Sequence, residues 1–297
     1  MAMSIDRKLK APIGKKIKLS EYKTNYTGQF KDKQDATDLL QNSIMEMREL
    51  QEKLYADGRY SLLIIFQAMD AAGKDGTIKH VMSGINPQGC DVVSFKQPSA
   101  QELKHDYLWR NWCQMPERGR IGIFNRSYYE EVLVTKVHPE IILTQNLPHV
   151  HTLKEVNEAF FTERYRQINN MEKHWTDNGK VIIKFFLHLS KDEQKKRFLD
   201  RIDNPSKNWK FSASDLKERQ HWDAYQEAFE KAISATSTTE APWYIIPADK
   251  KWFMRASVSQ IIVETLKTLN LQYPKISKEG KAQLLLAKAQ LENESEK

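Results

Sequence analysis

Residues 62–77 read Leu-Leu-Ile-Ile-Phe-Gln-Ala-Met-Asp-Ala-Ala-Gly-Lys-Asp-Gly-Thr. The uncharged apolar run from Leu62 to Phe66 predicts a buried strand. It gives way to small residues, reaches Gly73-Lys74 and passes into a polar, helix-compatible stretch from Thr77. Strand, tight loop and helix in this order make a phosphate cradle: backbone N–H groups turn toward phosphate oxygens, and the helix adds the positive end of its dipole. The expected cradle is Ala71, Ala72, Gly73, Lys74, Asp75, Gly76 and Thr77, with Lys79 following. Lys74 is placed to reach the outer phosphates as a mobile point charge.

The pattern G-x-x-x-x-G-K-[ST] is met incompletely. Ala68 stands where the first glycine belongs, and Asp75 stands where Ser or Thr belongs. The plainer reading is a glycine-containing turn with a surface lysine. The departures carry information of their own. Asp75 and Asp70 put two carboxylates near the phosphates, and anions repel one another unless a cation lies between them. Mg2+ takes carboxylate and phosphate oxygens together, so a metal-bridged polyanion site is expected, with Asp70 as the ligand and Mn2+ as the alternative ion.

The chain has 297 residues and a formal net charge of +7. That length suits one large domain or two small ones. No run of eighteen apolar residues occurs, so no membrane span is expected. The basic N-terminus lacks an apolar signal core, and two well-separated cysteines, Cys90 and Cys113, suggest reduced thiols in a cytoplasmic protein. A basic surplus points to an anionic partner, although alone it describes a solvated lysine-rich surface equally well.

Three segments are expected: an N-terminal arm over 1–30, a phosphotransferase domain over 31–272, and a charged helical tail over 273–297. Within the domain, Leu40, Ile44, Met47, Leu50 and Leu54 recur at helical spacing over 33–56. Further strands are expected at 90–95, 121–124, 181–189 and 243–246. Helices are expected from Ser99 through Trp112, over 152–177, from the Ser190/Glu193 capping box to about Ile202, over 214–233, and over 252–269. Strands alternating with helices imply an α/β fold, a parallel sheet covered on both faces, whose ligands bind beyond the carboxyl ends of the strands. The segments 67–74 and 125–129 should therefore meet at one site.

Phosphoryl transfer needs positioning and neutralisation of spread negative charge. Lys74 supplies one cation. Arg126, just past the third strand, supplies another able to grip phosphate by two parallel bonds, the alternative being a helical-spacing ion pair with Glu130 or Glu131. The third source is 191–212, where Arg197 and Arg201 lie four residues apart and Lys207 follows, as in a lid closing over phosphates. The alternative is an ordinary solvated helix face. Asn125 occupies the strand-end position at which P-loop enzymes usually carry a metal-organising aspartate. Asp70, Asp75 or Glu130 would then supply the carboxylate, or substrate phosphates would hold the ion. His149 and His151 lack the partners of a zinc site.

Ala68–Lys79, Phe124–Glu131 and Trp209-Lys210-Phe211-Ser212 with Asp215 and Trp222-Asp223 resemble the polyphosphate kinase 2 family. Asn86–Cys90 and Val137–Glu140 resemble its class III branch. The resemblance spans about residues 30–270. It implies a three-layer, thymidylate-kinase-like P-loop fold with a helical lid, and Mg2+-dependent transfer between inorganic polyphosphate and nucleotides, with AMP and ADP as acceptors. Family roles fall on Asp70, Lys74 and Arg126 as catalytic residues, on Asn125, Arg126 and Glu130 at the nucleotide, and on Arg197, Arg201 and Lys207 at the phosphate chain. Adenine nucleotides are the expected partners, with guanine nucleotides second; nucleic acid and membrane are not expected, and a homo-oligomer, dimer or tetramer, is. Two rivals are an ATP-dependent nucleoside monophosphate kinase and a non-catalytic nucleic-acid-binding protein.

Overall fold

The computed structural model describes residues 7–28, 30 and 32–294. Its centre is a five-stranded all-parallel sheet: β1 (Ser61–Ala68), β2 (Cys90–Ser94), β3 (Ile121–Asn125), β4 (Lys180–His188) and β5 (Trp243–Pro247), in the order β2-β3-β1-β4-β5. The helices are α1 (Lys33–Asp57), α2 (Lys74–Val81), α3 (Trp109–Trp112), α4 (Glu130–Val137), α5 (Glu140–Leu143), α6 (Glu158–Asp177), α7 (Lys191–Asp203), α8 (Ala213–Gln220), α9 (Trp222–Thr236), α10 (Lys251–Thr268) and α11 (Lys278–Glu292).

β1 is central because both of its faces are apolar. Leu63 and Ile65 enter the core built with α4, α6 and α9, while Leu62, Ile64 and Phe66 enter the core built with α1, α2 and α10. Alternation of side chains across the strand sends successive residues to the two layers. The register pairs Phe66 with Asn125 and Ala68 with Leu187, so the carboxyl ends of β3, β1 and β4 open on the same edge. Gly179 lies just past the end of α6; its backbone is left-handed (φ +87°) and its missing Cβ would sit 2.8 Å from Arg59 O. That glycine lets the chain turn tightly into β4.

The elements depart from the sequence reading in several places, and α4 and α5 are additions to it. α2 starts at Lys74, not Thr77, because Gly73 is its left-handed N-cap. Ser99 and Glu102 do exchange backbone hydrogen bonds as a capping box, yet only a 3-10 turn, Glu102–Lys104, follows before α3. α6 starts at Glu158, capped by Asn157, because Glu155 turns back onto Thr152. The helix expected over 214–233 is broken at His221 into α8 and α9.

Of the expected arm, residues 1–6 and 29 lie outside the described residues, as do 295–297 of the tail. The described arm packs on the β5 edge: Lys10 bridges Tyr244 in antiparallel fashion, and Ala11 N donates to Trp243 O at 2.9 Å. Leu9, Ala11, Ile17 and Leu19 are buried there. α11 buries no residue against the described fold. Among the described residues no helix is long and apolar enough to cross a membrane.

Candidate active site

The loop after β1 is shaped by left-handed backbone at Ala71 (φ 61°) and Gly73 (φ 106°). At Gly73 a side chain would be strained by that φ, and its Cβ would lie 3.4 Å from Met254 Cε and 3.7 Å from Arg197 Nη1. Thr77 seals the first turn of α2 by donating from both N and Oγ1 to Gly73 O, each at 2.9 Å. The first amides of α2 have no partner inside the helix, as at any helix start.

Lys74 is buried and its Nζ donates to Ala68 O at 3.2 Å. Burial, then Arg126, push its ammonium below the ordinary lysine range, while Asp70, Glu130 and Asp75 pull the other way. Arg126 follows β3 in the left-handed region (φ 65°), with its N donating to Phe66 O at 3.0 Å. Its guanidinium crosses to the P-loop, where Nη2 donates to Asp70 Oδ1 at 3.0 Å, and Nη1 lies 3.7 Å from Glu130 Oε2. The helical-spacing pair with Glu130 is therefore present together with a contact across strands. Glu130 is pushed up by burial and held back by Arg126 and Lys74. Asn125 Nδ2 donates to Asp75 Oδ1 at 2.6 Å. Asp70, Lys74, Asp75, Asn125, Arg126 and Glu130 thus converge where β1 and β3 end.

The lid residues divide. Arg197 is buried, and its guanidinium donates to Ala71 O (3.1 Å), Ala72 O (2.7 Å) and Ala248 O (2.6 Å), with Nε on Glu193 at 2.9 Å. Carbonyls of the loop and of the segment after β5, together with Glu193, thus occupy it. Arg201 reaches Asp215 at 3.3 Å, and Lys207 pairs with Asp200 at 2.8 Å on the exterior. Lys79 is exposed on α2.

Asp215 belongs to the cluster and has no assigned role in the sequence reading. Burial and the negative Asp70 raise its carboxyl, while Arg201, Arg126 and Lys74 lower it. Tyr225 also feels Glu130 and Asp70, and its hydroxyl donates to Glu218 at 2.6 Å. The signal for Asp215 was its place just after the Trp209–Ser212 segment. Tyr225 carries no signal, since an aromatic at helical spacing reads as core.

The available donors are oxygens: the carboxylates of Asp70, Asp75 and Asp215 and the amide of Asn125. That set fits a hard divalent ion held partly by water and phosphate. It is too sparse for a protein cage, and no cluster of three or more acidic, His or Cys side chains suited to a metal occurs among the described residues.

The family model for polyphosphate kinase 2 matches residues 30–274. An ADP-polyphosphate phosphotransferase of Rhodopseudomonas palustris is 52% identical over 278 residues, which is 94% of this chain and 95% of that one. An AMP/ADP-polyphosphate phosphotransferase of Meiothermus ruber is 49% identical over 82% of this chain and 85% of its own. The crystal structure of polyphosphate kinase 2 from Arthrobacter aurescens TC1 superposes with a TM-score of 0.86 at 38% identity, covering 97% of this chain and 98% of that one.

Proposed function

The chain belongs to the polyphosphate kinase 2 family, and we propose that it transfers phosphoryl groups between inorganic polyphosphate and adenine nucleotides, converting AMP and ADP to ADP and ATP. The observation that carries this reading is the convergence of Lys74 and Arg126 over a phosphate loop flanked by carboxylates.

In this reading the nucleotide phosphate lies by Arg126, with Asn125 and Glu130 beside it. Polyphosphate lies along Lys74 and the loop amides of 71–77, with Lys79, Arg201 and Lys207 toward its trailing part. A terminal oxygen of the nucleotide phosphate attacks the end phosphorus of the chain. One P–O bond forms as the bridging P–O bond breaks, and the shortened polyphosphate leaves with the electron pair. The attacking oxygen is already anionic, so no general base is needed, and no covalent enzyme intermediate forms. Lys74 and Arg126 oppose the charge that spreads over the transferring group, and the lid excludes water.

Members of the family generally need a divalent metal. Mg2+ suits the site better than a softer ion because the donors are all oxygen and few, with Asp70 as the residue to hold it and Mn2+ as the substitute. When bound, it supplies charge neutralisation between carboxylate and phosphate oxygens.

The test is phosphotransfer with polyphosphate, AMP and Mg2+ in the absence of ATP. ADP and ATP should appear and EDTA should stop them. Absence of product, with activity restored by ATP as donor, would assign an ATP-dependent monophosphate kinase instead.

A further inference from the structure

We propose that Asp249 is a positioning residue for phosphoryl transfer: it joins the N-terminal arm to the phosphate loop through the first two turns of α7. The inference rests on the phosphotransferase reading for its catalytic consequence and on hydrogen bonds for its mechanics.

Asp249 follows β5. Its carboxylate is forked between two segments far apart in sequence. Oδ2 accepts from Thr24 Oγ1 of the arm at 2.7 Å, and Oδ1 accepts from Ser190 N at the start of α7 at 2.9 Å. Asp249 N donates back to Thr24 O at 3.1 Å. Ser190 is the N-cap of α7, so pinning its amide fixes where the helix begins, and a carboxylate there complements the helix dipole. Gln194 and Arg197, four and seven residues on, share one helix stripe. Gln194 Nε2 donates to Asp70 O at 2.9 Å, and Arg197 Nη1 takes Ala71 O and Ala72 O. Arg197 Nη2 closes the ring on Ala248 O, next to Asp249 itself.

This bracket aims the loop. In a trans peptide the carbonyl of one residue and the N–H of the next point in opposite directions. Holding Asp70 O and Ala72 O against α7 therefore turns the N–H groups of Ala71 and Gly73 away from it, toward the side a phosphate approaches. A shift of α7 would tilt those peptides together. Lid motion must also begin beyond Arg197, which places the moving part toward residues 200–217 rather than over 191–212.

The test uses the full chain. In Asp249→Ala, amide hydrogen exchange over 70–77 should quicken by about tenfold while β3 and α6 keep their protection. At saturating substrates kcat should fall about ten- to a hundredfold, with the AMP KM within about twofold. Asp249→Asn, which still accepts from Ser190 N and can meet the Thr24 hydroxyl, should recover most of the rate. Thr24→Val, which cuts only the arm bond, should move both readouts the same way by a smaller factor and serves if Asp249→Ala does not fold. Unchanged exchange over 70–77 overturns the proposal. So does quickened exchange with an unaltered kcat, which would leave Asp249 a purely structural residue. A parent protein inactive with polyphosphate would sink the assigned reaction, and exchange would still judge the bracket.

Discussion

The guanidinium of Arg126 lies 3.0 Å from Asp70 Oδ1 and so ties the end of β3 to the loop after β1. The contact follows from topology: β1 and β3 are neighbours in register, Phe66 opposite Asn125, and the residues just past that pair can touch. Glu130, one helical turn on, adds a second negative group and keeps Arg126 firmly charged. The arginine is thus held ready without being consumed, since its side chain remains 41% exposed toward the mouth.

Arg126→Ala should lower kcat by about a thousandfold, the scale at which arginine acts on transferring phosphoryl groups. Arg126→Lys should recover little of it, because a point charge cannot serve Asp70 and a phosphate with parallel bonds. Steady-state rates alongside thermal melts check this; a lysine variant near parental turnover would remove the planar fork from the mechanism.

Lys74 gives a prediction with opposite signs for activity and stability. Its ammonium is held below the ordinary lysine range mainly by burial, so the folded state binds that proton less tightly than the unfolded chain does. The charged form is therefore unfavourable at neutral pH, and the penalty fades only as pH rises toward the ordinary lysine value. Lys74→Met should melt no lower than the parent at pH 7 while losing about a thousandfold in turnover. A large fall in melting temperature would instead make Lys74 a structural residue.

The loop was legible because an uncharged strand followed by Gly-Lys has few other readings, and the meeting of 67–74 with 125–129 followed from the parallel sheet. The backbone partners of Arg197 were not legible. An arginine four residues from another reads the same whether its acceptors are phosphates or backbone carbonyls, and only the packing of α7 on the loop decides. The break at His221 was hidden because no Gly or Pro marks it: residues 217–221 are a run of helix-compatible polar side chains. Lys184 was overlooked although it did carry a signal: a charge in the middle of an otherwise apolar strand.

Arg197→Met should destabilise the fold by at least about 2 kcal/mol, since it strands buried carbonyl acceptors on Ala71, Ala72 and Ala248. Arg197→Lys should recover part of the stability and little of the activity, one ammonium being unable to span acceptors on two segments. Urea denaturation measures the first effect. A Met variant as stable as the parent would show that water replaces the guanidinium without cost.

Lys184 sits wholly buried in β4, with Nζ donating to Glu172 Oε2 (2.6 Å), Tyr129 OH (2.8 Å) and Thr236 O (2.7 Å). Tyr128 OH donates to Glu172 Oε1 at 2.8 Å, so the network underlies the Tyr128-Tyr129 segment that leads from Arg126 into α4. Lys184→Met should cost about 3–5 kcal/mol by leaving Glu172 buried and uncompensated. Burial lowers the pKa of Lys184 to about 8 from the ordinary lysine value of 10.5. Between those values the unfolded chain binds more protons than the folded one, so this group makes stability rise with pH across that window. Denaturation of parent and Lys184→Met at pH 7 and pH 9 isolates it: the parent should gain relative to the variant at the higher pH. A parent that loses ground instead would mean that Lys184 keeps its proton, with the ion pair to Glu172 outweighing burial.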